Sequence, residues 1–528
     1  MSAEDRYLLA IDLGTSGPKV ALFTSDCQVV VGSEVEPTRL YLEPGGGAEQ
    51  DPEDWWRAVC TASRRLLGRH PEQAKRIAAV GCTAQWSGTV PVDEAGNAVG
   101  RAIIWMDSRG GKHVKRALGG FPSVMGYGAA KLLRWIRLTG GVPGHSGKDS
   151  LAHILFLKAE RPDVYARAAK LLEPKDYLNL RLTGRTAASF DSITLHWVTD
   201  NRRPDRIDYH PGLLRAVGLE RSRLPDLKRA VDVLGPLLPG PAAELGAPEG
   251  AQVVVGTPDI QSAAVGSGAV RDFEPHLYLG TSSWLTCHVP FQKTDAIHNM
   301  ASLPSPIPGR YFIGNEQECA GACLTFLRDQ VFFAQDDLGT ALPAAAYRRF
   351  DDLVEKAPPG ARKVIFTPWL YGERTPVEDP SIRGGWHNVS LGTTRGELVR
   401  SVYEGVAFNA RWLLQAVEKF TGRTLGAIHL IGGGARSDVW CQIQADVLGR
   451  PIRQMGDPVM ANARGVAIVA SVGAGFGTFE EIAGKVPVAR TFEPTKDRRA
   501  LYEELFGEFL RLYRSSRTAH ARLNRRTQ

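Results

Sequence analysis

The chain has no apolar stretch that approaches the roughly 20 residues needed to cross a bilayer. Its first residues, Met1 to Arg6, carry no basic segment followed by an apolar one. Neither a membrane span nor a signal peptide is expected, and the cytoplasm is the expected location. Cysteine is sparse: Cys27, Cys60, Cys82, Cys287, Cys319, Cys323 and Cys441 are scattered without framework spacing. That pattern suits reduced thiols and argues against a disulfide scaffold. Cys319 and Cys323 lie four apart, which puts them on one face of a helix. No His or carboxylate nearby completes a zinc spacing, so close helix packing is the expectation there. Three strong catalytic signatures are also missing: the phosphate loop ending in Gly-Lys-Ser/Thr, His-Glu-x-x-His, and the Gly-x-Ser-x-Gly elbow. The formal charge is +7, with much of the excess at Arg511, Arg514, Arg517, Arg522, Arg525 and Arg526. A solvated helix end and a frayed terminus account for it, and no nucleic-acid face is expected.

What is present is a chain of 528 residues, 43% hydrophobic and 23% charged. It is too long for one core, since domains run to about 100–250 residues. Tyr7–Ile11, Lys19–Phe23 and Cys27–Glu36 read as an antiparallel meander. Asp51-Pro52 opens a helix, with Asp51 as N-cap and Pro52 at its first position. Ile77–Gly81 is a further buried strand, so the lobe is α/β. The same logic recurs downstream. Gln252–Gly256 is an apolar strand ending near Asp259, and His276–Leu279 and Trp284–Cys287 flank the turn Gly280-Thr281-Ser282-Ser283. Two related lobes are expected, over residues 1–250 and 251–528, joined by the Pro- and Gly-rich stretch Leu234–Glu249. Helices are expected over Arg395–Glu418, Asp438–Leu448 and Arg498–Arg522, with a strand at Ala427–Ile431.

Three glycine turns each follow an apolar strand: Asp12-Leu13-Gly14-Thr15-Ser16-Gly17, Gly280-Thr281-Ser282-Ser283 and Gly432-Gly433-Gly434-Ala435. Glycine lets a backbone turn sharply and present N–H groups to an anion. Hydroxyls of Thr15, Ser16, Thr281 and Ser282 add donors, and Asp12 is placed to hold Mg²⁺. Three such turns point to a nucleotide.

Several segments are specific. Ile11–Val20, Glu49-Gln50-Asp51-Pro52 with Trp55-Trp56, Ile104–Arg109, Pro174–Leu178 with Leu182-Thr183-Gly184, Tyr371–Pro376 and Leu430–Ser437 resemble, in order, the FGGY carbohydrate kinases, and their xylulokinase branch most closely. The resemblance implies an α/β fold of two actin-like (ribonuclease H-like) lobes with an interdomain active-site cleft. It implies transfer of the γ-phosphoryl group of ATP, with Mg²⁺, to a hydroxyl of a pentulose-type sugar or polyol. The implied general base is Asp259, which with Asp12 also serves the metal. The implied ATP residues are Gly14, Thr15, Ser16, Lys19, Gly280, Thr281, Ser282, Gly432, Gly433, Gly434, Ala435 and Ser437. Gln85, Trp86, Ser87, Trp105, Asp107, Tyr127 and Asp259 are the implied sugar contacts. The N-terminal lobe is expected to bind sugar and the C-terminal lobe nucleotide, in a monomer or homodimer.

The sequence departs from the xylulokinase pattern at three places. Trp86-Ser87 stands where Met-His is usual, Ile260 stands where Asn or Gln follows the base, and Pro258 interrupts a Gly-Gly-Asp stretch. D-xylulose is therefore expected to be a poor acceptor. Two other readings remain open from sequence: an ATPase switch of the actin or Hsp70 kind, and a sugar sensor without chemistry. The Trp105-x-Asp107-x-Arg109 segment argues against the first, and the intact Asp12 and Asp259 against the second.

Overall fold

The computed structural model describes residues 6–337 and 341–524. The expectations for Met1–Asp5, Arg525 and Arg526 lie outside them. Two sheets dominate. The first runs Val233–Pro236, Gln252–Val254, Ile77–Ala84, Tyr7–Gly14, Gly17–Thr24, Val30–Val35. The second runs Val488–Phe492, Ile452–Met455, Ile428–Ile431, His276–Leu279, Ser283–Thr286. Both begin with an antiparallel strand, pass through two parallel pairings, and end in an antiparallel hairpin. The second sheet is thus the first repeated strand for strand, less the outermost strand of the meander.

The local expectations agree with these elements. The meander forms as read, and Asp51 caps the helix Pro52–Arg69 by accepting from Glu53 N at 2.9 Å. Trp55, Trp56 and Val59 face the first lobe's core. The helices at Arg395–Thr421, Asp438–Leu448 and Arg499–Leu523 also form. The last buries Tyr502, Leu505, Phe506, Phe509 and Tyr513, while Arg511 pairs with Glu508 and Arg517 lies over the Tyr513 ring.

Two expectations are corrected. Gln252–Val254, read as the opening strand of the second lobe, pairs in parallel with Ile77–Ala84 and belongs to the first sheet. Leu234–Glu249 is not a linker: it contributes the edge strand Val233–Pro236 and the helix Pro239–Leu245. A parallel partner some 170 residues away leaves no local trace, and Pro and Gly suit an edge strand and a helix start as well as a loop.

The lobes meet on a crossing of two equivalent helices. Asp259–Gly266 follows the fourth strand of the first sheet's repeat, and Ala461–Gly473 follows its counterpart. A Cβ on Gly266 would lie 1.8 Å from Ala461 O, and one on Gly465 would lie 1.7 Å from Ser262 O. The two backbones therefore touch, which only glycine permits. Leu8, Ala10, Val254, Ile431, Met455 and Val466 share one apolar cluster around this crossing. No helix among the described residues is long and apolar enough to cross a membrane.

Candidate active site

Asp12, near the end of the first strand, and Asp259, at the start of the crossing helix, both lie at the C-terminal ends of the first sheet's parallel strands, near enough for the Asp12 charge to raise Asp259. Burial and the Asp12 charge push Asp259 up to about 7, against donation from the backbone N–H groups of Ile260 and Trp86. The Ile260 bond is 2.9 Å. From 3.8, this shift corresponds to on the order of 3 kcal/mol after allowance for residual solvent contact. A helix N-terminus favours an anion by only about 0.3–1 kcal/mol, so burial beside a second carboxylate wins. Pro258, not Asp259, is the N-cap. Burial also raises Asp12, against Lys19, whose Nζ is 3.7 Å from Asp12 Oδ2. That same Nζ donates to Val459 O in the second lobe at 3.0 Å.

The first glycine turn is bound into a polar ring. Thr15 Oγ1 donates to Gln85 Oε1 at 3.0 Å, Gln85 Nε2 to Gln50 Oε1 at 2.7 Å, and Gln50 Nε2 to Thr15 O at 2.9 Å. Trp105 Nε1 donates to Thr15 Oγ1 at 2.9 Å. The Thr15 hydroxyl, expected at ATP, is thus committed to Gln85 and Trp105, both expected at sugar. Gln50 is wholly buried and was not singled out; nothing in a lone Gln after a strand reveals that it closes a ring. Ser16 is exposed, and Gly17 is required, because a Cβ there would lie 2.0 Å from Glu36 O.

The turn after Ile77–Ala84 lies beside Asp259. Trp86 donates its indole N–H to Ser192 O at 2.9 Å, and Ser87, at φ 65°, donates to Lys148 O at 2.6 Å. The polar atoms of both departures are therefore spent within the protein. Tyr127 stacks on His145 with ring centroids 3.9 Å apart and donates to Pro143 O. Asp107 is fully buried and held by Arg109 and by Ala48 N at 3.0 Å. Arg109 also pairs with Glu49, so the segment expected to touch sugar braces the loop that carries Trp105. Across the cleft, Lys148 lies 5.9 Å over the Trp105 ring and is lowered by burial and by Arg374, with Glu318 and Glu316 opposing. Arg374 bonds to both those glutamates. This charged group from both lobes was missed, because Lys148 lies over 160 residues from Glu316, Glu318 and Arg374.

The second-lobe turns are more open. Thr281 is exposed and Ser282 half-exposed, and neither hydroxyl bonds to a described residue. Gly280 has no room for a Cβ, which would lie 2.2 Å from the Tyr278 ring. Tyr278 stacks on Trp284 at 3.9 Å, and burial with the charges of Asp259 and Asp12 pushes its hydroxyl up to about 12. Gly432, at φ 91°, runs against Leu279 O, and Gly434 packs on Leu279. A Cβ on Gly433 would meet nothing within 4 Å. Ala435 is buried. Ser437 caps the helix Asp438–Leu448 and donates to Asp351 at 2.8 Å, so its hydroxyl is occupied; the Ser-Asp helix start is a signal that would have shown this. Cys319 precedes the helix Gly321–Phe326 that holds Cys323, and both are buried. No cluster of three or more metal-ligating side chains exists among the described residues.

Known proteins resemble this chain over nearly its whole length. Xylulose kinase of Staphylococcus epidermidis is 27% identical over 521 residues, covering 98% of each chain. Xylulose kinase of Escherichia coli is 29% identical over 512 residues, 96% of this chain and 98% of that one. The crystal structure of a xyloylose kinase from Brucella ovis superposes with a TM-score of 0.84 at 25% identity, over 97% of this chain and all of the other. Residues 7–266 match the N-terminal domain, and 277–474 the C-terminal domain, of the FGGY family of carbohydrate kinases. The chain belongs to that family and is an ATP-dependent sugar kinase.

Proposed function

We propose that Asp259 is the general base that activates a hydroxyl of a pentulose-type sugar or polyol, with D-xylulose itself a poor acceptor. The observation that carries the reading is the pair Asp12 and Asp259, with burial and the Asp12 charge pushing Asp259 up to about 7 and the Ile260 N–H donating to it at 2.9 Å. A base poised near the working pH accepts a proton best. The acceptor hydroxyl gives its proton to Asp259 as its oxygen bonds to the γ-phosphorus. The bond from that phosphorus to the bridging oxygen breaks, and ADP leaves. The acceptor sits against Gln85–Gly88, Trp105 and Tyr127 of the N-terminal lobe. ATP lies on the C-terminal lobe, with Gly433 facing its adenosine end, Gly280–Ser282 near the phosphates, and the Gly14 backbone and Lys19 reaching the γ-phosphate from the other lobe, while the Thr15 side chain braces the acceptor turn.

Two carboxylates without a third ligand suit Mg²⁺, which takes one or two from a protein and fills its shell with water and phosphate. Asp12 and Asp259 are the residues that would hold it. When bound, it neutralises charge on the phosphoryl oxygens. The chain's own work is to align the acceptor, hold the proton on Asp259 and place Lys19 beside Asp12. The seven free cysteines, all buried, suit a cytoplasmic protein.

The side chains at positions 86, 87 and 260 set the acceptor preference. A His in the family position offers a ring donor. Here Ser87 and Trp86 offer none, and Ile260 adds an apolar group beside the base. The test is ADP release over a panel of pentuloses, hexuloses, polyols and sugar acids. Acceptor-stimulated release is expected, with D-xylulose not the preferred member. Release with no dependence on any acceptor contradicts the reading.

A further inference from the structure

The helix Pro174–Thr183 begins in a way that helix stability does not explain. Glu173 is its N-cap, yet the side chain makes no capping bond. Lys175 sits in the first turn, 2% exposed, where the helix dipole disfavours a cation. Both side chains instead reach outward to other segments. Glu173 Oε2 accepts from Gly88 N at 3.0 Å, and Oε1 bonds to the Ser150 hydroxyl. Lys175 Nζ pairs with Asp176 and donates to Val255 O at 3.0 Å, where Asn179 Nδ2 also donates at 2.7 Å.

Those two targets flank the chemistry. Gly88 ends the turn Gln85–Gly88, and a Cβ on it would lie 2.5 Å from Pro174. Val255 opens the loop that runs through Gly256, Thr257 and Pro258 to Asp259. Gly256 takes φ 76° with no room for a Cβ, 2.1 Å from Cys82 O, and the Thr257 hydroxyl bonds to the buried Asp191. The Trp86 N–H faces the Asp259 carboxylate. A circuit therefore closes: Glu173 to Gly88, along the turn to Trp86, across to Asp259, back along the loop to Val255, and through Lys175 to the helix.

We propose that the first turn of this helix is a positioning clamp that sets the placement of Asp259 against the acceptor turn, with Glu173 holding Gly88 and Lys175 and Asn179 holding Val255. This rests on Asp259 as the base. None of the three touches the reacting atoms; each acts through the backbone it holds. Burying these groups is costly unless each is paired, and pairing them with backbone on both sides of the base is what the cost secures. Burial pushes Glu173 up to about 8, toward the neutral form that glutamine mimics.

The test uses the full chain with ATP and the acceptor that gives the greatest ADP release in the panel. Glu173→Leu removes the acceptor for Gly88 N, and Glu173→Gln keeps it. Lys175→Met with Asp176→Asn removes the Lys175 contact to Val255 O, leaving that of Asn179, and leaves no buried charge unpaired. Rates are normalised to the folded fraction measured by circular dichroism. The Leu variant and the double variant are expected to lose about ten- to a hundredfold in kcat with KM for ATP unchanged, and Glu173→Gln to stay near wild type. Normal kcat per folded molecule in the Leu and double variants overturns the clamp. So does a Gln variant as impaired as the Leu variant, or a KM for ATP that rises as kcat falls. Asp259→Asn, measured alongside, separates the two claims: if it is inactive while the clamp variants turn over normally, only the clamp fails; if it is fully active, the base assignment fails and the clamp with it.

Discussion

The turns at Gly14–Gly17 and Gly280–Ser283 share Gly-Thr-Ser and join equivalent strands of the two sheets. Their neighbours differ. Thr15 is tied by Gln85, Gln50 and Trp105 into a ring that fixes the first turn to the Gln85–Gly88 turn. Thr281 is exposed with an uncommitted hydroxyl. Crossing helices add the second asymmetry: at equivalent helix starts, the first lobe places the carboxylate of Asp259, and the second places Ala461 beside Val459, whose carbonyl takes Lys19. A repeated frame thus carries a buried pair of carboxylates in one lobe and open glycine turns in the other. Duplication supplies the frame, and the side chains packed behind each turn decide what it serves.

The largest break in that comparison is expected from Asp259→Asn. It should lower kcat by at least about a hundredfold with little change in KM for ATP, measured by coupled ADP release. It should also change stability in a pH-dependent way without divalent cation. The folded-state value of Asp259 is raised to about 7, so the fold disfavours its anion, and wild-type stability falls as pH rises from about 4 through 7. The variant should therefore melt higher than wild type at pH 8, and the gain should vanish near pH 4.

Gly433→Val probes the opposite lobe. Nothing lies within 4 Å of its Cβ, so the protein should tolerate the side chain while the nucleotide does not. About a tenfold rise in KM for ATP is expected, the loss of roughly one good contact, with KM for the acceptor unchanged. The reverse pattern would exchange the lobes' roles.

How much of this the sequence revealed depends on range. The meander, the Asp51 cap and the helix Asp438–Leu448 follow from local pattern, and the structure has them. The pairing of Gln252–Val254 with Ile77–Ala84 does not, because a buried parallel strand reads the same in either lobe. Asp12 stood out because its glycine motif follows a strand, and Asp259 through the family resemblance. Gln50, Glu173 and Lys175 were not assigned roles, because buried polar residues look like surface residues until their partners are known. Asp107, Thr15 and Ser437 show the converse: residue types suited to a ligand, found bonded to the protein itself.

A smaller effect is expected in the acceptor turn. Trp86→Met with Ser87→His should raise kcat/KM for D-xylulose several-fold, since histidine tolerates the positive φ at position 87 better than most residues and restores a ring donor. No gain, in a wild type that already prefers D-xylulose, would mean the departures do not set the acceptor.

The most direct test of the division between the turns is a paired one. KM for ATP and for the acceptor are measured in Thr15→Val and in Thr281→Val. The expected result is crossed: a few-fold rise in acceptor KM for the first, and a few-fold rise in ATP KM for the second, each the loss of about one hydrogen bond. If both variants raise KM for ATP alone, the first turn serves the nucleotide as the second does, and the asymmetry drawn from the Thr15 ring is contradicted.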